Sequence, residues 1–316
     1  MRAVAVDAFG EIGSIHELPA PVAGEDEILV RVTYAGVNPA DWKVRDGLRG
    51  AREFPLILGS DFAGVVAAVG AGVTRFAPGD RVFGIASEHG SYAEYTVVLR
   101  PSDFAVLAKT PANLSDEYAA ALPVAGLTAL GALTRLDLPA GSTLFVVGGT
   151  GGVGGFGVQF ARARGLHVIA TARSGKEDVA RQLGAEVVVA YDTADVLAAV
   201  RAAHPGGVDA VLHAANESDD ITGFVDIVRP GGKVLSVVRA VHDRDHFAAR
   251  EIGAENYYMR QSPTFTAAGI ESLAQAAESH AIAVRLEATL PLAEGGPVLE
   301  AFKAGKRSGK VVLAVS

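Results

Sequence analysis

Over residues 1–100, apolar and polar positions alternate in short runs broken by Gly, Pro and Asp. The runs are RAVAVDAFG, EILVRVTYAGV, DFAGVVAAVG, DRVFGIA and SYAEYTVV. Period-two alternation with frequent turn residues predicts short strands in a β-rich domain. Near residue 124 the pattern changes. Longer apolar runs now alternate with helical stretches: STLFVVG (142–148), LHVIATA (166–172), EVVVAY (186–191), VDAVLHAA (208–215), GKVLSVV (232–238) and NYYM (256–259). Helices are expected near 153–164, 175–183, 193–203 and 219–228. Strands alternating with helices predict right-handed crossovers and a parallel, doubly wound sheet. The last fifty residues hold two helical stretches, IESLAQAAESH and GGPVLEAFKAG, and a terminal strand GKVVLAV, expected to return to the first domain.

Composition narrows the function. The 316 residues are 49% hydrophobic and 20% charged, which suits a globular protein long enough for two cores. The net charge of −8 and the lack of a basic cluster argue against a nucleic-acid partner. There is no cysteine, which excludes disulfides, thiolate zinc sites and cysteine nucleophiles. The opening MRAVAVDAFGEIG lacks a secretory h-region, and no apolar run is long enough to span a membrane, so the expected location is cytoplasmic.

The densest chemical signal is Gly149-Thr150-Gly151-Gly152-Val153-Gly154, a G-x-G-x-x-G between a predicted strand and a predicted helix. In that context the first glycine permits a tight turn and the second lets backbone approach a pyrophosphate. The third allows close helix–strand packing, and the phosphate sits on free N–H groups. The dinucleotide follows from the end of the next strand. An NAD site wants an acid about 20 residues past the glycines. Here the segment is Thr171, Arg173, Ser174 and Lys176, with no acid before Glu177. Cations and a hydroxyl suit a 2′-phosphate, so NADPH is the expected cofactor.

Six motifs together resemble the medium-chain dehydrogenase/reductases, in their zinc-free quinone oxidoreductase (zeta-crystallin-like) branch. They are AGVNPADWKVRDG (35–47), PLILGSDFAGVVAAVGAGVTRFAPGDRVFG (55–84), GSYAEY (90–95), AGLTA (125–129), GGTGGVG (148–154) and the final SGKVVL. The resemblance implies an α/β fold: a GroES-like β-rich catalytic domain from residues 1–123 and 261–316, and a doubly wound Rossmann domain over 124–260 that binds NADPH. It places the cofactor in the cleft between them and implies a homodimer paired through Rossmann edge strands, for which NYYM is the apolar candidate.

The resemblance also implies roles for single residues. In the family's zinc enzymes a Cys stands at the place of Asn38, a His at that of Ser60, and a Cys or acid near Val124. The four-cysteine lobe expected after DRVFG is missing too, so no metal is expected. Without a Lewis acid, hydride transfer suits quinones and enones, where a developing enolate needs a hydrogen-bond donor or proton. Asn38 is then expected near the nicotinamide ribose, or else it begins a turn before Pro39. Thr128 resembles a helix cap beside the cofactor, and Tyr191 a tyrosine near the 2′-phosphate beside Lys176. Lys310 is either a cofactor ligand or a surface lysine. Lys43, where many quinone reductases carry Tyr, is either a donor to the substrate oxygen or a solvated lysine. Tyr257 and Tyr258 are further candidates for the donor, and His213 faces the cofactor or the core. The expected function is NADPH-dependent reduction of a quinone or of the C=C bond of an α,β-unsaturated carbonyl. The alternative is a non-catalytic dinucleotide-binding structural or redox-sensing protein.

Overall fold

The computed structural model describes residues 1–86, 90–99, 106–215, 220–238, 241–307 and 309–315. They divide into two compact units. Unit 1 comprises Met1–Leu127, Thr264–His280 and Val284–Ser316; unit 2 comprises Thr128–Pro263 and Ala281–Ala283. No helix among the described residues is long and apolar enough to cross a membrane.

Unit 1 begins with eight strands: β1 (Arg2–Val6), β2 (Ser14–Glu17), β3 (Glu27–Val37), β4 (Leu56–Ile57), β5 (Asp61–Val69), β6 (Arg81–Ile85), β7 (Tyr95–Leu99) and β8 (Leu107–Lys109). Helix α1 (Pro39–Arg45) follows β3, and α2 (Asp116–Ala119) precedes α3 (Pro123–Leu136), which carries the chain into unit 2. β3 organises this unit. It pairs antiparallel with β5 along one edge, and along the other with β7 over its first half. Its alternating Ile28, Val30 and Val32 are buried, and with Phe62, Val82 and Val98 they form the apolar core.

Unit 2 holds β9 (Thr143–Val147), α4 (Gly152–Ala163), β10 (His167–Ala172), α5 (Glu177–Leu183), β11 (Val187–Ala190), α6 (Val196–Ala203), β12 (Val208–His213), β13 (Val228–Ser236), α7 (Arg244–Ala248) and β14 (Gly253–Asn256). The strands form a parallel sheet in the order β11-β10-β9-β12-β13-β14. This is the doubly wound arrangement that alternating strands and helices predict. Two local expectations fail. The stretch near 219–228 forms only a 3₁₀ turn at Thr222–Asp226, its first residue lying outside the described ones. The last strand is Gly253–Asn256 and not NYYM: Tyr257 and Tyr258 lie beyond it, and Met259–Gln261 turns into 3₁₀. Strand pairing here is decided by backbone register to β13, so the polar GAEN forms the ladder, and Tyr257 follows it with one further N–H bond to the Ser236 carbonyl at 2.9 Å.

The chain then returns to unit 1 through α8 (Ala267–Glu278), β15 (Leu286–Pro291), α9 (Gly295–Lys303) and β16 (Lys310–Ala314). β16 pairs with β3 over its second half, matching Val311 to Val37 and Ala314 to Tyr34.

Candidate functional site

Register alone gathers the polar centre of unit 1. Gly36 of β3 is opposite Asp61, the first residue of β5, and Val37 is opposite Val311 of β16. Asn38, the residue after β3, therefore lies between the first residues of its two neighbours, Asp61 and Lys310. All three are buried. Asn38 Nδ2 donates to Asp61 Oδ2 at 2.8 Å, and Lys310 Nζ donates to Asn38 Oδ1 at 2.8 Å and to the Val37 carbonyl at 3.3 Å. The Lys310 ammonium stands 3.6 Å from Asp61 Oδ2, while Asp61 Oδ1 accepts the backbone N–H of Val124 at 3.0 Å. Gly36 makes this approach possible, since a Cβ there would lie 2.1 Å from the Ala120 carbonyl and 2.8 Å from Asp61 Cβ.

A second buried carboxylate adjoins the first. Asn38 is the N-cap of α1, and its N–H donates to Asp41 Oδ2 at 2.9 Å. The same oxygen accepts the Tyr92 hydroxyl at 2.9 Å, and Oδ1 accepts Ser60 Oγ–H at 2.9 Å. Burial dominates the electrostatics. It pushes Asp61 up to about 6, with the nearby Lys310 ammonium and the Asn38 amide opposing, and it raises Asp41 and lowers Lys310. Tyr92 is raised well above the ordinary phenol range by burial and by the Asp41 carboxylate, so its hydroxyl stays protonated and donates.

Lys310 is thus neither exposed nor a surface residue. Only the pairing of chain segments 272 residues apart reveals its place. Asn38 does begin the turn before Pro39, and at the same time its side chain is committed to Asp61 and Lys310. Among the described residues no three His, Cys, Asp or Glu side chains are grouped to share a metal ion.

In unit 2 the glycine-rich turn follows β9. The left-handed backbone falls at Gly148, with φ +90°, one residue before the motif, and not at Gly149. Gly149 is needed for packing instead: a Cβ there would lie 2.6 Å from the Ala170 Cβ. Gly154 packs its helix on the turn, where a Cβ would meet the Gly148 carbonyl at 2.1 Å. Gly151, the N-cap of α4, differs from both. Its backbone is extended, and an added Cβ would meet only the Gly148 carbonyl, at 3.2 Å. No side chain caps α4 and no acid lies in its first turn. Space over Gly151 beside uncapped helix N–H groups at Gly152 and Val153 fits a pyrophosphate. Thr150 completes the turn. Thr171 fastens it from β10, accepting the Gly148 N–H on Oγ1 at 2.8 Å and the Gly149 N–H on its carbonyl at 2.9 Å. Its Oγ1 thus helps to hold the turn.

The ends of β10 and β11 lie side by side, Ala172 opposite Ala190. This brings together Arg173, Ser174, Lys176 and Tyr191, all exposed, with Lys176 the N-cap of α5. It also brings an acid that a count along the chain misses. Asp192 Oδ1 accepts the Ser174 N–H at 2.8 Å, its Oδ2 accepts the Ser174 hydroxyl at 2.7 Å, and Arg173 Nε stands 3.9 Å away. Residues 171–176 hold no acid themselves, but the end of the neighbouring strand supplies one to this corner.

Other candidates fall elsewhere. Thr128 lies inside α3 and is buried. Lys43 is half-buried in the last turn of α1, its ammonium 5.5 Å from the Trp42 ring centroid. Burial, with Arg49 nearby, lowers its pKa. Tyr257 is buried just beyond β14 and Tyr258 is exposed. His213 is a core residue, with Nδ1 3.0 Å from Ser236 Oγ and its ring edge-on to Phe224.

Comparison with known proteins completes the picture. Residues 24–111 match the alcohol dehydrogenase GroES-like domain family, and residues 152–279 the zinc-binding dehydrogenase family. The chain is 32% identical to a chloroplast envelope quinone oxidoreductase homolog of Arabidopsis thaliana, over 80% of this chain and 79% of that one. It is 35% identical to an NADPH-dependent alkenal/one oxidoreductase of the same plant, over 70% of this chain and 57% of that one. A solved NAD-dependent alcohol dehydrogenase superposes with a TM-score of 0.88 at 29% identity, covering 100% of both chains. The chain belongs to the medium-chain dehydrogenase/reductases, beside their quinone oxidoreductases, and is an oxidoreductase that uses a nicotinamide dinucleotide.

Proposed function

We propose that this protein is a zinc-independent, NADPH-dependent reductase of quinones or of the C=C bond of α,β-unsaturated carbonyl compounds. The observation that carries the reading is the Asn38–Asp61–Lys310 cluster. At the positions where zinc relatives hold ligands, one carboxylate is already bonded by an amide and a backbone N–H, beside an ammonium. A divalent cation there would face the Lys310 charge, and would have to displace the Asn38, Val124, Ser60 and Tyr92 donors that already hold the Asp61 and Asp41 carboxylates. When bound, the reduced nicotinamide supplies a hydride, which quinones and enones accept without a Lewis acid to activate them.

The chain's own contributions divide between the units. In unit 2, Gly149–Val153 receive the pyrophosphate, while Arg173 and Lys176 supply positive charge for the 2′-phosphate. In unit 1, Asp61 and Lys310 fix the Asn38 amide in one orientation. Lys43, made a stronger acid by half-burial, is the candidate donor to the substrate oxygen. The Arabidopsis relatives, one a quinone oxidoreductase homolog and the other an NADPH-dependent alkenal/one oxidoreductase, support this substrate class.

NADPH consumption measured over p-quinones, alkyl enones and aryl enones tests the proposal. Turnover with at least one class, unchanged by a metal chelator, is the expected result. Cofactor fluorescence that shifts on binding without turnover of any acceptor would favour the non-catalytic dinucleotide-binding alternative. One tightly held zinc per chain, or activity abolished by chelation, would overturn the metal-free assignment.

A further inference from the structure

We propose that Asp192 is a cofactor-discriminating residue that works against the 2′-phosphate and narrows the preference for NADPH over NADH. The inference rests on the assignment of Arg173 and Lys176 to that phosphate. It starts from the parallel pairing of β10 with β11, which continues into the following turn, where the Tyr191 N–H donates to the Ala172 carbonyl at 3.0 Å. The turn brings Asp192 level with Ser174, and the carboxylate takes both Ser174 donors, N–H at 2.8 Å and O–H at 2.7 Å.

Three consequences bear on a ligand. Ser174, an exposed neutral donor in the segment that would suit a phosphate, already donates its hydroxyl hydrogen bond to the Asp192 carboxylate. Arg173 Nε stands 3.9 Å from the same carboxylate, so part of its charge is balanced before any phosphate arrives. The carboxylate itself stays ionised, because the bonds from Ser174 hold it below the usual range. A 2′-phosphate entering this corner meets two cations and a fixed anion. A free 2′-hydroxyl is a donor, and an ionised carboxylate has lone pairs left to accept it. The corner therefore carries opposed elements, Arg173 and Lys176 favouring the phosphate and Asp192 favouring its absence.

Asp192→Asn tests this, since the amide keeps an acceptor for the Ser174 N–H and removes the charge. NADPH, NADH, 2′,5′-ADP and 5′-ADP are titrated against the wild type and the variant by fluorescence or calorimetry. Binding of NADPH and of 2′,5′-ADP is expected to tighten about fivefold, with an effect that shrinks as salt rises, while NADH and 5′-ADP hold or weaken. Asp192→Ser, which removes the charge without adding an amide, should move the same way. Unchanged or weaker binding of 2′,5′-ADP in both variants overturns the proposal. The Arg173→Ala/Lys176→Ala variant is titrated in parallel to separate two failures. If it weakens NADPH while the Asp192 variants do not strengthen it, only the role of Asp192 falls. If it leaves NADPH binding at the wild-type level, no phosphate sits at this corner and both assignments fall.

Discussion

Lys310 and Asp61 hold opposite charges inside unit 1, and each makes the other tolerable. Removing one partner of a buried pair leaves an uncompensated charge and typically costs about 3–5 kcal/mol. Lys310→Met should therefore destabilise the protein by roughly that amount at neutral pH. Adding Asp61→Asn should recover much of the loss, giving a large coupling in a double-mutant cycle read by denaturant unfolding. Additive losses would show that the pair is not coupled. A pH dependence follows from the same carboxyl. Burial lifts Asp61 to about 6, so between the ordinary carboxylate range and that value the folded protein holds a proton that the unfolded chain has released. Stability from this group is complete at low pH and falls as pH rises through that window. From about pH 4 to pH 6 the wild type should lose stability relative to Asp61→Asn, and a relative gain in thermal unfolding would refute the assignment. The composition of this cluster was legible in the sequence only in part. Asn38, Ser60 and Val124 stood out as departures from a metal site. For Lys310 the sequence leaves a cofactor ligand and a surface lysine both open, because nothing local shows that its strand pairs with β3. Asp192 was hidden for the same reason, since a neighbouring strand end supplies it.

The glycine-rich turn separates two functions that one motif combines. Gly154 and Gly149 are required by packing, whereas Gly151 leaves space beside the first turn of α4. Gly151→Val should keep the fold, because its extended backbone accepts any residue and only the Gly148 carbonyl lies near the new Cβ. It should weaken NADPH and NADH alike, by roughly 10- to 150-fold if one or more charge-assisted N–H contacts to phosphate are lost. Gly154→Ala should do the reverse and destabilise the protein by about 1–3 kcal/mol through its clash with backbone. Equal melting temperatures for Gly154→Ala and wild type would contradict the packing role. Periodicity made most unit 2 strands and α4–α6 readable, because β9, β10 and β12 bury apolar runs and the helices alternate with them. It failed at β14, where a short polar segment pairs through its backbone alone. It also passed over α1 and α3, whose small and polar residues give little amphipathic signal.

The expected assembly has to be restated in light of β14. The apolar run NYYM is not the sheet edge; the edge is Gly253–Asn256, which pairs with β13 and ends the strand order. Glu255 on this strand already receives Arg135 at 2.8 Å. We still expect a homodimer from the family resemblance, with light scattering at micromolar concentration giving twice the 32.5 kDa chain mass. A monomer would remove that expectation. The class of fold was the most legible feature of the sequence, since the change of period near residue 124 and the resumption of strands at the far end both survive in the structure. The meeting of Asn38 with Lys310 also has a consequence for biosynthesis. A ribosome adds about 5–20 residues per second, so the 272 residues between them take roughly a quarter of a minute to one minute to make. During that interval nearly all of unit 2 has emerged, while the acid at position 61 still lacks its cation. The nascent chain should thus hold a completed nucleotide fold tethered to an unfinished first unit, and chaperone capture on stalled ribosomes should concentrate on that unfinished segment.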